Sequence, residues 1–248
     1  MSKPSTNGRA VSDAEPGRDR ALPDWGTGPP RGTTRRALIL VALVVPGIVL
    51  GGIVAVVVNP VRGVLVTGVY LVAVMTLIWG QGLRVSGWLS ARRLKEGEQP
   101  RFENLARSLA SDLGVASPSL WLISEGGPNA ASFTSRGPAI AATRSLLDGY
   151  TRTELEAVVA HCILRFARGE VSTAMLANAA WPFGHLLAPR VGYEDDVQTA
   201  AITRFPPALS SAIEKAEPRS GRYSGLWFVA TSPTHRPAAE RIDALASL

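Results

Sequence analysis

One short run in the sequence carries residue types that perform metal chemistry: His161-Cys162-Ile163-Leu164-Arg165. In a zinc-dependent hydrolase helix of the form H-E-x-x-H, two histidines four residues apart share one helix face and hold the metal, and the glutamate is the general base. Only the first histidine of that pattern is present here, because Cys162 stands at the glutamate position and Arg165 at the second histidine position. This run alone does not establish a zinc site.

Two other routes to chemistry use side chains near this run. A replacement metal site would draw on Cys162, His185, Glu194, Asp195 and His235. Neighbouring helix residues point about 100° apart, so His161 and Cys162 do not easily share one ion. The same geometry opposes Cys162 as a nucleophile beside an imidazole, and a cysteine in an apolar helix is usually inert packing. The sequence favours neither route.

Composition excludes further function classes. The chain has 248 residues with one Cys and three His, so it forms no intrachain disulfide and soft metal ligands are scarce. The formal net charge of +6 could indicate nucleic acid, but the basic residues crowd around apolar segments, and no stripe of alternating basic and aromatic residues occurs. We therefore expect no nucleic-acid partner.

Two long apolar segments precede the candidate residues. Residues 37–58 carry no charge, and a helix of that length spans about 33 Å, enough for a bilayer core. After a turn, residues 63–83 are again free of charge, so the sequence predicts a hairpin of two transmembrane helices. Gly47 and Gly51 have the spacing that lets helices approach closely. Residues 1–36, rich in Pro, Gly and Ser, are predicted to be a disordered basic tail.

The positions of the basic residues predict the orientation of the hairpin. Arg35 and Arg36 precede it, Arg84 and the basic linker at residues 84–99 follow it, and the turn carries only Arg62. By the positive-inside rule both ends are cytoplasmic, which gives a multi-pass protein of the plasma membrane with the lipid bilayer as a partner. A cleaved signal peptide is the rival interpretation, but the apolar run starts too late and is too long.

Residues 100–248 are predicted to form a soluble, mostly helical α+β domain. A helix starts at Pro100, and residues 119–123 and 139–143 are predicted to be short strands. Thr151 and Glu154 are in capping-box register at the start of an apolar helix that ends near Gly169. Residues 171–187 are apolar but broken by Pro182 and Gly184, which favours a helix on the core or at the membrane interface. Further helices are predicted at residues 194–203, 207–216 and 237–248.

Several segments in this domain occur in the order found in one known family. They are Pro128-Asn129-Ala130, Thr143 with Leu146-Leu147, the E-L-x-A-V-x-A-H run that ends at His161, the spaced set Asp196, Ala200, Thr203, Pro206 and Leu209, and Thr234-His235, Pro237 and Glu240-Arg241-Ile242. Together with the hairpin, this arrangement resembles the HtpX-like family of membrane zinc metallopeptidases, which also contains the CAAX prenyl proteases. The resemblance implies a gluzincin-type metallopeptidase fold with a small sheet.

The resemblance also assigns roles to individual positions, and the differences fall on the chemistry. Cys162 replaces the general base, Arg165 the second histidine ligand, and Gly192 the third ligand, so that only His161 remains. Asp196 matches the family residue that orients the first zinc-bound imidazole from the side of the ring opposite the metal. The remaining matched motif positions are Asn129 at the entry to an edge strand, His235 and Arg241.

Arg165 places a permanent cation where a metal ligand is expected. One hypothesis is that it replaces the charge of the metal and pairs with Asp196 or Glu194; the alternative is that it merely reaches solvent. The expected function is a pseudopeptidase without a cofactor, which binds a peptide or membrane-protein partner in quality control, with the strand after Asn129 as a place for peptide addition. The alternatives are an active zinc endopeptidase with rearranged ligands, and a structural module without a cleft.

Overall fold

The computed structural model describes residues 33–180, 186 and 188–248. The predicted tail therefore lies almost entirely outside the described residues, and so does His185. The last four residues assigned to the tail are an exception, because the first helix already begins at Thr33. Their composition is compatible with a helix, because the two arginines form its polar end and the apolar segment follows directly.

Two apolar helices form the predicted hairpin, α1 at Thr33–Val57 and α2 at Pro60–Trp79. Both are long and apolar enough to span a membrane, and most of their large apolar side chains are exposed in the isolated chain. Asn59 caps α2, because its side chain accepts a hydrogen bond from the Val61 amide at 2.8 Å. The sharp turn thus follows from a proline preceded by a capping residue.

The glycine pair in α1 determines how closely the two helices approach. A Cβ atom at Gly47 would lie 2.1 Å from the ring of Tyr70, and one at Gly51 would lie 1.8 Å from Oγ1 of Thr67. Gly63 on α2 faces the same contact, and its Cβ would lie 2.6 Å from the carbonyl oxygen of Gly51. The small residues therefore allow backbone contact between the helices, as the G-x-x-x-G spacing predicts.

The predicted basic linker at residues 84–99 is wrong as a description of structure. Apolar helix α2 ends at Trp79. A short helix, α3, then runs over Gln81–Trp88 and is followed by strand β1 at Ala91–Arg93. The strand pairs antiparallel with the first predicted strand. The charged residues of this segment are typical of a linker in sequence. In the structure the two arginines lie on an edge strand, where charged side chains prevent the sheet from pairing with other chains.

The domain after the hairpin is an α+β fold in which helices predominate, as predicted. Its further elements are α4 (Pro100–Asp112), β2 (Ser119–Ile123), β3 (Ala130–Thr134), β4 (Pro138–Thr143), α5 (Arg144–Gly149), α6 (Arg152–Ala167), α7 (Glu170–Ala179), α8 (Tyr193–Thr203), α9 (Pro206–Lys215) and α10 (Ala238–Ala246). Within the described residues the sheet order is β1-β2-β4-β3, with β2 and β4 parallel and the other pairs antiparallel. The predicted strands β2 and β4 are confirmed, and β4 is one residue longer.

Helix α6 lies at the centre of the domain. The predicted capping box is present, because the Thr151 side chain accepts from the Glu154 amide and the Glu154 carboxylate accepts from the Thr151 amide. One face of α6 packs against α4, α8 and α9, and its apolar side chains share a core with Leu122 and Ile140 of the sheet. The helix is thus buried almost all round, which places His161 inside the domain. The predicted helix at residues 171–187 extends only to Ala179; residues 181–185 and 187 are outside the described part of the chain.

Candidate functional site

His161 is completely buried on the third turn of α6. Its Nδ1 atom lies 3.6 Å from Oδ1 of Asp196 and 3.5 Å from the hydroxyl of Thr199, both on α8. Phe228 packs edge-on against the imidazole ring at a centroid distance of 5.1 Å. The other ring nitrogen, Nε2, has no hydrogen-bond partner among the described residues. The imidazole is therefore held by packing more than by hydrogen bonds.

The surroundings of His161 favour its neutral form. Burial is the largest cause, and the charges of Arg241, Arg165 and Arg168 add to it, so that the pKa of His161 lies well below its usual value. A protonated imidazole would be one more cation in a buried, positively charged region. His161 is thus uncharged near neutral pH.

Asp196 pairs with Arg241, not with Arg165. The Arg241 Nε and Nη2 atoms donate to the two carboxylate oxygens at 2.8 and 2.7 Å, and its Nη1 donates to the carbonyl oxygen of Phe228 at 2.9 Å. Both side chains of the pair are fully buried. Burial raises the pKa of Asp196, and the bidentate contact with the guanidinium opposes that rise. The predicted pairing of Asp196 with Arg165 is wrong because a cation from α10 takes that place.

Arg165 is buried as well, with 1% of its surface exposed, so the alternative in which it merely reaches solvent is also wrong. Its Nη2 atom donates to the carbonyl oxygen of Gly225 at 2.6 Å, and its Nε atom lies 3.9 Å from a carboxylate oxygen of Glu170. Glu170 is in the first turn of α7, immediately after the end of α6. The cation therefore meets a local carboxylate and a carbonyl group that the sequence pattern does not indicate.

Glu194, the other predicted partner of Arg165, is directed away from the core. Its side chain is 58% exposed and lies 3.6 Å from Nη2 of Arg168, while the buried Asp195 accepts a hydrogen bond from Nη1 of the same arginine. Adjacent carboxylates on α8 thus diverge, as neighbouring helix residues must. In the structure Glu194 therefore pairs with Arg168 at the surface and does not contact His161.

Cys162 is buried against β3 and has 1% of its surface exposed. Burial raises the pKa of its thiol, which opposes the thiolate form that nucleophilic attack requires. Cys162 belongs to the apolar core cluster of the domain, so the structure gives it a packing environment.

Gly192 is the N-cap of α8, one turn before Asp196, and lines a surface cavity of about 630 Å³. His235 borders the same cavity, but its Nε2 atom contacts the carbonyl oxygen of Trp227 at 3.0 Å and Ser232 lies 3.2 Å from its Nδ1 atom. Burial and the charge of Arg165 lower the pKa of His235 to about 3. Both nitrogens of His235 thus have protein partners.

Comparison with curated proteins gives the same family as the motifs. The protease HtpX homologue of Tropheryma whipplei strain Twist is 27% identical over 218 residues, which cover 62% of this chain and 75% of that protein. The homologue of Paraburkholderia phytofirmans is 28% identical over 214 residues, with 68% and 70% covered, and that of Burkholderia multivorans is 25% identical over 225 residues, with 73% and 77% covered. The chain is thus similar to the protease HtpX homologues over most of its length. No family model matches it, and no solved structure gives a significant match.

In the described part of the chain, the residues around His161 do not form a side-chain set that fits zinc. Among residues 33–180, 186 and 188–248, no group of three His, Cys, Asp or Glu side chains is placed to hold a metal ion. His161 offers one imidazole nitrogen, and the cations of Arg241 and Arg165 lie close enough to lower its pKa. A catalytic zinc needs three protein ligands, and nearby guanidinium groups repel a divalent ion. No step of a mechanism is therefore assigned to zinc.

The edge strand of the HtpX-like chain is covered by the chain itself. The Asn129 side chain donates to the carbonyl oxygens of Glu217 and Val229, both at 2.7 Å. The Phe228 amide then donates to the carbonyl oxygen of Ala130 at 2.8 Å. The expected site for peptide addition beside Asn129 and Ala130 is therefore wrong at the start of β3, because residues 227–229 already lie there. The sequence contains no periodic signal for this irregular segment, so sequence reasoning did not place it beside β3.

Proposed function

We propose that this chain is a membrane-anchored HtpX-like protein without peptidase activity, which acts by binding a peptide or membrane-protein partner in the quality control of membrane proteins. The hairpin lies in the plasma membrane as a multi-pass anchor, and both ends of the chain face the cytoplasm. The similarity to HtpX proteases and the two apolar helices support the membrane association.

The observation that carries the proposal is the buried position of Arg165. An arginine that reached solvent would leave room for a rearranged metal site, but this guanidinium is enclosed and bonded to the Gly225 carbonyl oxygen. It lies one helical turn from His161, where a second ligand would have to be. A metal ion at His161 would therefore have to displace or tolerate a fixed positive charge.

The cavity beside Gly192 supports a binding role. It holds cations from Arg168 and Arg236 together with the carboxylates of Glu194 and Glu240, so a partner segment with both charge signs would find complementary groups. This cavity replaces the covered edge of β3 as the proposed contact surface. Its mixed charge favours a polar peptide segment over an apolar one.

Metal content tests the loss of catalysis. We expect negligible zinc, by elemental analysis, in the detergent-purified protein and in the His161→Ala variant after zinc loading and washing. A triple variant, Cys162→Glu with Arg165→His and Gly192→Glu, restores the three family side chains, and we expect zinc uptake only there. A Cβ atom at Gly192 would lie 3.1 Å from the flexible side chain of Arg236, which can move aside.

One zinc per chain in the unmodified protein, lost in His161→Ala, would refute the proposal and support the active endopeptidase. The matched control is Arg165→His alone, which should take up no zinc because the third ligand at position 192 is still missing. Cleavage of an unfolded membrane-protein substrate by the unmodified chain would refute it as well.

Photo-crosslinking tests the binding role. A crosslinker at Tyr193, which lines the cavity and is 41% exposed, should give a discrete adduct in native membranes. The same crosslinker at Arg107, exposed on α4 and away from the cavity, is the control and should give none. Absence of adducts at Tyr193 would favour the structural module.

A further inference from the structure

A second cavity, of about 320 Å³, lies where the apolar hairpin meets the soluble domain. Its apolar lining comes from the end of α2, with Ile78 and the strongly exposed Trp79, and from α7, with Met175 and Leu176. If the hairpin spans the bilayer, this cavity opens at the level of the lipid headgroups. An exposed tryptophan at the end of an apolar helix is typical of that level.

The polar groups of the cavity are cationic or uncharged. Arg36 at the start of α1 and Arg136 in the β3–β4 turn both line it, and none of its described lining residues is acidic. Arg36 is fixed in place, because its Nε donates to the Thr173 hydroxyl at 2.9 Å and its Nη2 to the carbonyl oxygen of Gly169. Arg136 is exposed and has no ion-pair partner among the described residues. Two guanidinium groups thus face one space without a compensating carboxylate.

A buried glutamine adds a second, independent observation. The side chain of Gln81 lines the cavity and is 97% buried, since the residue is only 3% exposed, yet neither its amide nitrogen nor its carbonyl oxygen has a partner in the described structure. The hydroxyl of Thr134 beside it is equally unpaired. Buried polar groups are almost always satisfied, so the unpaired groups of Gln81 and Thr134 are available to a molecule that enters the cavity.

We propose that this cavity binds the headgroup of an anionic phospholipid. The phosphate accepts hydrogen bonds from Arg36 and Arg136, the Gln81 amide and Thr134 hydroxyl bind the remaining headgroup oxygens, and the start of an acyl chain lies along the apolar wall of Ile78 and Leu176. A free phosphate ion would accept the same hydrogen bonds but would make no contact with the apolar residues of the cavity. The proposal is independent of peptidase activity and depends only on the insertion of the hairpin into the bilayer.

Lipid retention measured by native mass spectrometry tests the proposal. The full chain, purified in detergent, is equilibrated with equal amounts of phosphatidylglycerol and phosphatidylcholine, and we expect one retained phosphatidylglycerol and little phosphatidylcholine. The Arg136→Gln variant should lower phosphatidylglycerol retention about fivefold, the effect of about 1 kcal/mol per cation near a lipid surface. Arg136 makes no bond within the described protein, so this variant should fold normally.

A matched control and a blocking variant separate a site from general attraction to charge. Arg84 is exposed at the same end of the hairpin but does not line the cavity, so Arg84→Gln should retain phosphatidylglycerol as the unmodified chain does. Ser172→Phe fills the cavity without changing charge and should abolish retention. Equal retention of the two lipids, an effect of Arg84→Gln as large as that of Arg136→Gln, or full retention in Ser172→Phe would each overturn the proposal.

Competition distinguishes the two sources of a phosphate group. Excess inorganic phosphate should leave the bound phosphatidylglycerol in place, because the ion makes no contact with the apolar wall. Displacement of the lipid by inorganic phosphate would overturn the assignment to a phospholipid and indicate a soluble phosphate ligand.

Discussion

Changing Arg241 to methionine removes the cation from a fully buried ion pair. The guanidinium makes two hydrogen bonds to Asp196 and one to the Phe228 carbonyl oxygen, and all three are lost. Breaking a buried pair by removing one partner costs about 3–5 kcal/mol, because the remaining charge keeps its desolvation penalty without compensation. We expect a loss of that size in the free energy of unfolding at neutral pH.

The loss should depend on pH in a defined direction. Without the guanidinium, burial and the charge of Asp195 act on Asp196 unopposed, so its folded pKa rises further above the value of about 3.9 in the unfolded chain. The ionised carboxylate is then destabilising above the folded pKa, and protonation relieves the penalty as pH falls through it. His161, 3.6 Å away, acts in the same direction, because losing the Arg241 charge makes its protonation easier. The difference from the unmodified protein should therefore shrink as the pH falls through the raised folded pKa of Asp196.

Urea unfolding of the full chain in detergent, followed by tryptophan fluorescence, measures the effect. The double variant Asp196→Leu with Arg241→Met removes both charges and should recover most of the loss, since apolar replacement of a whole buried pair is often nearly neutral. A loss below about 1 kcal/mol in Arg241→Met, or a double variant no more stable than the single one, would refute the reasoning. A loss that grows towards low pH would refute it too.

Three further substitutions test the core, the hairpin and the covered strand. Arg165→Leu leaves the Gly225 carbonyl oxygen without its donor and should cost about 1–3 kcal/mol in urea unfolding; an unchanged midpoint contradicts the structural role of this cation. Gly51→Leu should disrupt the hairpin and lower helix-to-helix crosslinking in vesicles, because a Cβ at Gly51 meets backbone and side-chain atoms of α2. Gly52→Leu is its control, with no atom within 4 Å of the corresponding Cβ, and equal effects at both positions would contradict the packing. Asn129→Ala unpairs the buried carbonyl oxygen of Val229 and the partly buried one of Glu217 and should cost about 2 kcal/mol, whereas Asn104→Ala on the exposed face of α4 should change stability by less than about 0.5 kcal/mol.

Local features of the chain could be predicted from sequence because their causes are local. The apolar runs and the Asn59-Pro60 turn indicate the hairpin, since both depend on residues within one helix or turn. The capping box at Thr151 and Glu154 likewise fixes the start of α6. The short strands were harder to predict: β2 and β4 have enough apolar residues, whereas β1 consists largely of arginine side chains on a sheet edge.

The sequence by itself determined which chemistry the candidate residues lack. Cysteine at the position of the base and arginine at the position of a ligand are facts about residue types, and no folding of the chain can make them a glutamate and a histidine. Together with the family motifs, these two positions show from the sequence alone that the zinc-binding pattern is incomplete.

Only the tertiary structure decided which buried charges meet. Asp196 and Arg241 are 45 residues apart and Asn129 reaches Val229 across 100 residues, whereas Arg165 finds a carboxylate only five residues away. Several acidic residues lie within similar sequence distance of each arginine, so spacing does not select among them. The selection is made by the packing of α6, α8 and α10, because a buried cation is stable only where a carboxylate or carbonyl oxygen enters the same enclosed space.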